Sequence, residues 1–140
     1  MFYQNEDIIK EIKTSTTRMR LLKNGIIHYT YLPKADVDVE QHMENYHALV
    51  ELSGGIDRPL VIDAAELINI TAGARAKVKE LEPVTPVIAK AFVTKSLGHK
   101  LLVSFFFKIN KPSVPNKMFS NYDEAVDWLL KVMQENKKLV

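Results

Sequence analysis

Several side chains capable of acid–base or anion-binding chemistry follow the predicted strands of this chain. Asp63 ends the apolar run Arg58–Asp63, Thr71 precedes a predicted helix, and Lys95 and Ser96 follow the β-branched run 87–94. In a mostly parallel sheet the carboxyl ends of the strands meet at one edge, where helix N-termini also point and ligands approach. The sequence therefore predicts a polar edge that contains Asp63, Thr71, Lys95 and Ser96 and could accept a phosphate or carboxylate group.

Structural roles compete with ligand binding for the same side chains. Asp63 and Glu66 could form a carboxylate pair for acid–base or metal chemistry. No third ligand lies nearby in the sequence, so we expect Asp63 to hydrogen-bond the backbone of a turn or to cap the crossover instead. Thr71 has the position of a helix N-cap, and we expect it to cap rather than to accept a phosphoryl group.

The histidines and the remaining motifs do not indicate catalysis. His42 and His47 lie about 140° apart on a predicted helix, which is not metal-ligand spacing. His28 and His99 are expected to be surface or hydrogen-bonded residues. The sequence contains no Gly-x-Ser-x-Gly elbow, phosphate loop or dinucleotide fingerprint. We therefore predict a protein that is not an enzyme and that uses no metal and no cofactor.

Composition and charge narrow the class of protein further. The 140 residues suit one domain, and the absence of cysteine excludes disulfides and thiolate ligands. Basic residues number 19 and acidic residues 17, spread along the chain, which predicts a solvated surface and no nucleic-acid partner. The acidic N-terminus is unlike a signal peptide, and no apolar run reaches the roughly 18 residues of a membrane span. We predict a cytoplasmic protein without a transmembrane segment.

The first half of the domain is predicted to be a hairpin followed by a helix and a buried strand. Asn24-Gly25 separates two alternating runs, 18–22 and 26–32, which predicts a β-hairpin with a type I′ turn. Asp36 or Asp38 can cap a helix that ends at Gly54-Gly55. The inner side of this helix is predicted to carry Val39, Met43, Tyr46 and Val50. The strand is Arg58–Asp63.

Helices and strands then alternate to the end of the chain. Helices are predicted over Thr71–Glu80, over 96–109 and after Ser120, where Ser120 and Asp123 have capping-box spacing. Strands are predicted over 87–94 and just before Ser120. The last helix has apolar residues at helical spacing, namely Tyr122, Ala125, Trp128, Leu129, Val132 and Met133. The resulting order, ββαβαβαβα, favours an α/β fold with a mixed, mostly parallel sheet.

Residues 1–16 stand apart from this pattern as an N-terminal arm, which leaves residues 17–140 as a single domain. Ile8, Ile9 and Ile12 would share one side of a short amphipathic turn, and a polar connector, residues 14–17, follows. The arm either frays or packs as a clip on this domain or on a second subunit.

The segment Leu97–Ile109 is too apolar for a helix that simply covers a sheet. At 100° per residue, Lys100, Ser104 and Lys108 form one narrow polar stripe, and apolar residues occupy the rest of the circumference. These include Val103, Phe105, Phe106 and Phe107. The surplus apolar surface must meet another helix of the chain, a homodimer or protein partner, or an apolar ligand or lipid.

The elements and their motifs resemble the SpoIIAA-like proteins of the STAS superfamily. The resemblance is carried by the Asn-Gly hairpin, the Asp-led helix, the strand that ends in Asp63, the sequence Ala-Lys-Ala-Phe-Val-Thr-Lys-Ser (residues 89–96) and the closing Met-Phe-Ser-Asn-Tyr-Asp-Glu-Ala-Val-Asp-Trp-Leu (residues 118–129). It covers roughly residues 17 to 135 and implies a STAS-like α/β fold.

The same resemblance bears on regulation. STAS domains that act as anti-sigma-factor antagonists carry a phosphorylatable serine in an Asp-Ser-Ser-Gly motif, and the matching stretch here is Ile70-Thr-Ala-Gly-Ala-Arg75. The Asp and both serines are missing, which leaves Thr71 as the nearby hydroxyl. We therefore interpret the chain as a non-catalytic regulatory or protein-interaction module that self-associates. The alternative is a protein that binds a lipid or another apolar small molecule.

Overall fold

The computed structural model describes residues 2–63, 68–96 and 113–138. The predicted Phe-rich helix, with Val103, Phe105, Phe106 and Phe107, lies outside these residues, as does Glu66. The elements in chain order are a 3₁₀ turn (Asn5–Asp7), β1 (Ile8–Lys13), β2 (Thr17–Leu22), β3 (Ile27–Tyr31), β4 (Asp36–Val37), α1 (Val39–Ser53), β5 (Arg58–Asp63), β6 (Asn69–Ile70), α2 (Ala72–Leu81), a 3₁₀ turn (Glu82–Val84), β7 (Val87–Val93), β8 (Asn116–Phe119) and α3 (Tyr122–Lys138).

A six-stranded sheet in the order β1-β2-β3-β5-β7-β8 forms the centre of the fold. The pairs β1–β2 and β2–β3 are antiparallel, whereas β3–β5, β5–β7 and β7–β8 are parallel. The short strands β4 and β6 form a separate parallel pair. The predicted mixed, mostly parallel sheet with an N-terminal hairpin is thus confirmed.

The hairpin between β2 and β3 is present, but its predicted turn type is wrong. The N–H of Gly25 donates to the carbonyl of Leu22 at 2.9 Å, so Lys23 and Asn24 are the central residues of the turn. Gly25 has a φ of 92°, whereas Asn24 is not among the residues with positive φ. A type I′ turn needs positive φ at both central positions; a type I turn followed by one left-handed glycine fits these bonds.

Helix α1 has the predicted ends but a different buried side. Asp38 caps its N-terminus with a capping box, and Gly54 ends it with a φ of 66°. Its buried residues are Asn45, Ala48, Leu49, Leu52 and Ser53. Val50, predicted to face inward, is 40% exposed. The prediction of the inner side was wrong because it assigned that side by hydrophobicity, and the buried side contains a polar residue, Asn45.

Asn45 lies at the junction between α1 and the connection from β1 to β2. Its Oδ1 accepts hydrogen bonds from the hydroxyls of Thr14, Thr16 and Thr17 at 2.5, 3.3 and 3.2 Å, and its Nδ2 donates to Thr16. The side chain of Glu44 also accepts from Ser15. The polar connector of residues 14–17 is therefore fixed to the helix.

Strand β1 lies at one edge of the sheet, where an amphipathic turn within residues 1–12 was predicted. Ile12 packs against the core under α1, and Ile9, beside an irregularity in the β1–β2 pairing, is 60% exposed. Because successive side chains of a strand point to opposite faces, β1 separates isoleucines that a helical turn would have placed on one side.

Helices cover the two faces of the sheet. Residues of α1 pack on the face formed by Met19, Ile27, Leu60 and others, and α3 packs on the opposite face, on Val61, Ala89 and Ala91. The cap of α3 differs from the prediction: the helix begins at Tyr122, and Oδ1 of Asn121 accepts from the N–H of Glu124 at 2.9 Å. Asn121 therefore has the capping position that was assigned to Ser120.

Candidate functional site

His28 and Asp63 come together on the α3 face of the sheet because β3 and β5 are parallel neighbours. In this register Asp63 lies opposite Thr30, and His28 lies opposite Val61. Residues two apart on a strand share a face, so His28 is diagonal to Asp63. The Nε2 atom of His28 lies 2.5 Å from Oδ2 of Asp63. The carboxyl end of β5 thus holds a pair formed by a buried histidine and a partly buried carboxylate.

Two tyrosines from the ends of the chain extend this pair into a network. The hydroxyl of Tyr3 lies 2.6 Å from Nδ1 of His28 and accepts from Arg20 at 3.1 Å. The hydroxyl of Tyr122 donates to Oδ2 of Asp63 at 2.7 Å. A carboxylate can only accept, so the neutral imidazole that satisfies these contacts carries its hydrogen on Nε2 and accepts from Tyr3 at Nδ1.

Aromatic contacts surround the histidine. The ring of Phe2 lies 5.1 Å from that of His28 and 4.9 Å from those of Tyr3 and Tyr122. His28 is 6% exposed. We call Phe2, Tyr3, His28, Asp63 and Tyr122 the His28 cluster. It joins the N-terminal segment, two strands of the sheet and the start of α3.

The chemistry of the His28 cluster is that of a satisfied network. Burial, together with the hydrogen bond to Asp63, raises the pKa of Tyr122, so its hydroxyl remains a donor. Both ring nitrogens of His28 have partners within the chain. Among residues 2–63, 68–96 and 113–138, no group of three His, Asp or Glu side chains could hold a metal ion. The hydrogen bonds of the cluster therefore join the N-terminal segment and α3 to the sheet.

Among the other residues of the predicted polar edge, Thr71 contacts α1, whereas Lys95 and Ser96 follow β7, the strand whose Val93 pairs with Asp63. The hydroxyl of Thr71 accepts from the N–H of Ala74 at 3.1 Å and donates to Asp38 at 2.8 Å, so Thr71 is the predicted N-cap and joins α2 to the start of α1. Lys95 and Ser96 are exposed, and the N–H of Ser96 donates to Thr94. The structure thus joins Asp63 to α3 and Thr71 to α1, on opposite faces of the sheet.

Most of the His28 cluster was not predicted from the sequence. Asp63 was assigned to a turn, Tyr122 was predicted only as an apolar residue of the last helix, and Tyr3 was given no role. A signal was present at the start of β3, because His28 shares a face with Ile26, the residue just before the strand, and Ile26 is fully buried. A polar residue on a buried face requires a partner, and Asp63 ends the adjacent parallel strand.

The structure predicts acid sensitivity through a different histidine, His42. Burial, and then the positive charges of Lys90 and Lys77, lower the pKa of His42 from 6.5 to about 4. Between these values the unfolded chain binds a proton that the folded chain does not, so stability falls as the pH drops through that window. We expect His42→Gln to lose less unfolding free energy than the wild type between about pH 7 and about pH 5, measured by urea denaturation.

The control for this prediction is His47→Gln, at an exposed position of the same helix. It should retain the wild-type slope of stability against pH. Equal slopes for His42→Gln and the wild type would show that His42 is not the group responsible.

Comparison with solved structures defines the class of fold. The fold is SpoIIAA-like: the chain is similar to a protein of the DUF3478 family with a SpoIIAA-like fold from Shewanella loihica PV-4, with a TM-score of 0.55 and 12% identity over 86% of this chain and 90% of that one. A protein of unknown function from Arthrobacter sp. FB24 matches with 22% identity over 85% and 96% of the two chains, at a TM-score of 0.32. The resemblance predicted from the sequence is confirmed for the fold.

The family is identified by its sequence model. The chain belongs to the family described as Domain of unknown function DUF7793, whose model matches residues 20–133. No curated protein matches the chain significantly. Within the described ranges, no helix is both long and apolar enough to cross a membrane.

Proposed function

We propose that the protein is a non-catalytic interaction module that self-associates through its Phe-rich segment. The observation that carries the proposal is that the polar side chains of β3 and β5 on the α3 face bond to one another and to other residues of the chain. His28 bonds Tyr3 and Asp63, and Asp63 also bonds Tyr122. A catalytic acid or base must reach a substrate, whereas these groups bind one another beneath Phe2. The SpoIIAA-like fold supports a module of this kind.

The proposed module is regulated by binding and not by phosphorylation of Thr71. The Thr71 hydroxyl contacts the Asp38 carboxylate at 2.8 Å. A phosphate there would place up to about two negative charges beside a carboxylate, and the repulsion would disfavour it. The absence of the Asp-Ser-Ser-Gly motif in residues 70–75 agrees with this argument.

The proposed self-association surface comes from the sequence pattern of residues 97–109. Three consecutive phenylalanines cannot share one side of a helix, so covering this sheet would leave at least one of them to contact something else. Burial of one large aromatic side chain contributes roughly 1.5–3 kcal/mol. A second copy of the chain provides the same apolar surface in return, as a two-fold interface requires.

Light scattering during size-exclusion chromatography tests the proposal. The wild type is expected to have the mass of a dimer, and Phe106→Ser and Phe107→Ser that of a monomer with unchanged helix content. Val84→Ser is the matched control, because Val84 is an apolar residue that is 64% exposed outside the segment; it should remain dimeric. A monomeric wild type would contradict the proposal. Variants that unfold would assign the segment to the core and contradict self-association through it.

A further inference from the structure

The N-terminal segment is attached to the rest of the domain mainly by side chains. Its 3₁₀ turn is closed locally, since the N–H of Asp7 donates to the carbonyl of Gln4 at 3.0 Å and the Asp7 carboxylate accepts from the N–H of Gln4 at 2.9 Å. The carbonyl of Asp7 accepts from the N–H of Lys23 at 2.9 Å, which fixes the end of the segment to the hairpin. Within the described ranges, no backbone hydrogen bond joins residues 2–6 to the chain beyond Asp7. We call residues 2–6 the N-terminal strap.

Phe2 and Tyr3 hold the N-terminal strap in place. The hydroxyl of Tyr3 lies 2.6 Å from Nδ1 of His28 and accepts from Arg20 at 3.1 Å, and its ring lies 5.4 Å from that of His28. The ring of Phe2 lies 4.9 Å from that of Tyr122 and packs against the core under α3. The other residues of the strap are exposed. A segment held by two side chains opens at a lower free energy than the whole domain unfolds.

The place that the two rings occupy is built by the domain without the strap. Asp63 accepts from Nε2 of His28, and this bond leaves Nδ1 as the acceptor that faces the strap. Asp63 also accepts from Tyr122. The acceptor on His28 and the donor on Arg20 meet at one point, which fits a hydroxyl group because a hydroxyl both donates and accepts. Phe2 and Tyr3 are partly exposed, so the places of both rings reach the protein surface.

We propose that the N-terminal strap is an internal stand-in for a tyrosine-containing segment of a partner protein, which binds in its place when the strap opens. This inference rests on the proposed function as an interaction module. Consecutive residues of a chain, Phe2 and Tyr3, fill one apolar place and one place with a donor and an acceptor, which favours a peptide over a free phenol. The strap is then an autoinhibitory contact, because a partner must compete with a segment that is tethered beside its site.

An acetylated and amidated peptide with the sequence of residues 2–7 tests the proposal by titration into the isotope-labelled full chain, followed by NMR. Phe2→Ala/Tyr3→Ala removes the competing rings and is expected to bind the peptide at least about tenfold more tightly than the wild type, with shifts at the amides of His28 and Asp63. Asn5→Ala/Glu6→Ala changes two exposed residues of the same strap and should bind like the wild type. Tyr3→Phe removes only the hydroxyl; it is expected to raise the affinity by a smaller factor and serves if the double variant unfolds.

A second peptide tests the role of the hydroxyl group. With phenylalanine in place of its tyrosine, the peptide is expected to bind Phe2→Ala/Tyr3→Ala about tenfold more weakly, because His28 and Arg20 lose their shared partner. Equal binding of the two peptides would overturn the proposal.

Other results would also overturn the proposal. They are no saturable binding by Phe2→Ala/Tyr3→Ala, equal affinity of that variant and the wild type, and binding of p-cresol as tight as that of the peptide, which would assign the place to a small phenol. Loss of the dimer in Phe2→Ala/Tyr3→Ala would assign the place to the strap of a second copy.

The mass measured by light scattering separates this inference from self-association. A monomeric wild type whose Phe2→Ala/Tyr3→Ala variant binds the peptide would contradict self-association alone. A dimeric Phe2→Ala/Tyr3→Ala variant that fails to bind the peptide would refute the strap proposal alone.

Discussion

Replacement of His28 by alanine is expected to lower the free energy of unfolding by about 3 kcal/mol. The substitution removes a buried ring and its contacts with Phe2 and Tyr122. It also takes one hydrogen-bond partner from Asp63 and the acceptor from the Tyr3 hydroxyl. The loss of a hydrogen-bond donor lowers the free energy of unfolding more at a partly buried carboxylate than at an exposed one, because water does not fully replace the lost bond. Urea denaturation followed by circular dichroism measures the difference.

His47→Ala is the control for His28→Ala. His47 is exposed on α1, and its replacement should change the unfolding free energy by no more than about 0.5 kcal/mol. A loss below about 1 kcal/mol for His28→Ala would contradict the view that the His28 cluster fastens the N-terminal segment and α3 to the sheet.

The second large effect is expected at Asn45. Asn45→Leu keeps a side chain of similar size at a position that is 1% exposed, but it removes the acceptor of three threonine hydroxyls and the donor to Thr16. Each buried hydroxyl left without its partner costs about 1–3 kcal/mol, partly relieved here by the remaining bond between Thr14 and Thr17. We expect a net loss of about 2–3 kcal/mol, measured by the same urea method.

Asn136→Leu provides the matched control, since Asn136 is exposed on α3. The same chemical change there should be nearly neutral. If Asn45→Leu were neutral too, the threonine hydroxyls would be satisfied without the amide, and the connection between β1 and β2 would not depend on α1.

Local sequence patterns predicted the elements of this fold well. The strands Arg58–Asp63 and 87–94, the helix capped by Asp38 and the helix capped by Thr71 were all predicted near their observed bounds. These predictions depend on signals within a few residues, namely caps, glycines and periodicity. Local signals also account for the errors, because Asn24-Gly25 is compatible with two turn types and Ser120 and Asn121 are both good caps.

The His28 cluster could not be predicted in the same way. His28 lies 25 residues from Tyr3 and 35 from Asp63, and Asp63 lies 59 residues from Tyr122. Only the order and register of the strands bring these residues together. The arm illustrates the same limit: β1 is short and irregularly patterned, and its pairing with β2 defines it as a strand.

The contacts within the His28 cluster support the proposed binding function over catalysis. α1 and α3 cover the two faces of the sheet, and the polar groups at the carboxyl end of β5 bond to one another. The surface that we propose for function is, by its sequence, the Phe-rich segment. Its apolar area is suited to contacts with other chains.

Native and denaturing mass spectrometry of the freshly purified protein tests the central claim most directly, because the two spectra together report subunit number, tightly held small molecules and covalent phosphate. We predict a dimer whose mass is twice that of the unmodified chain. A monomer that carries a removable apolar adduct would contradict it and would identify the protein as a small-molecule binder.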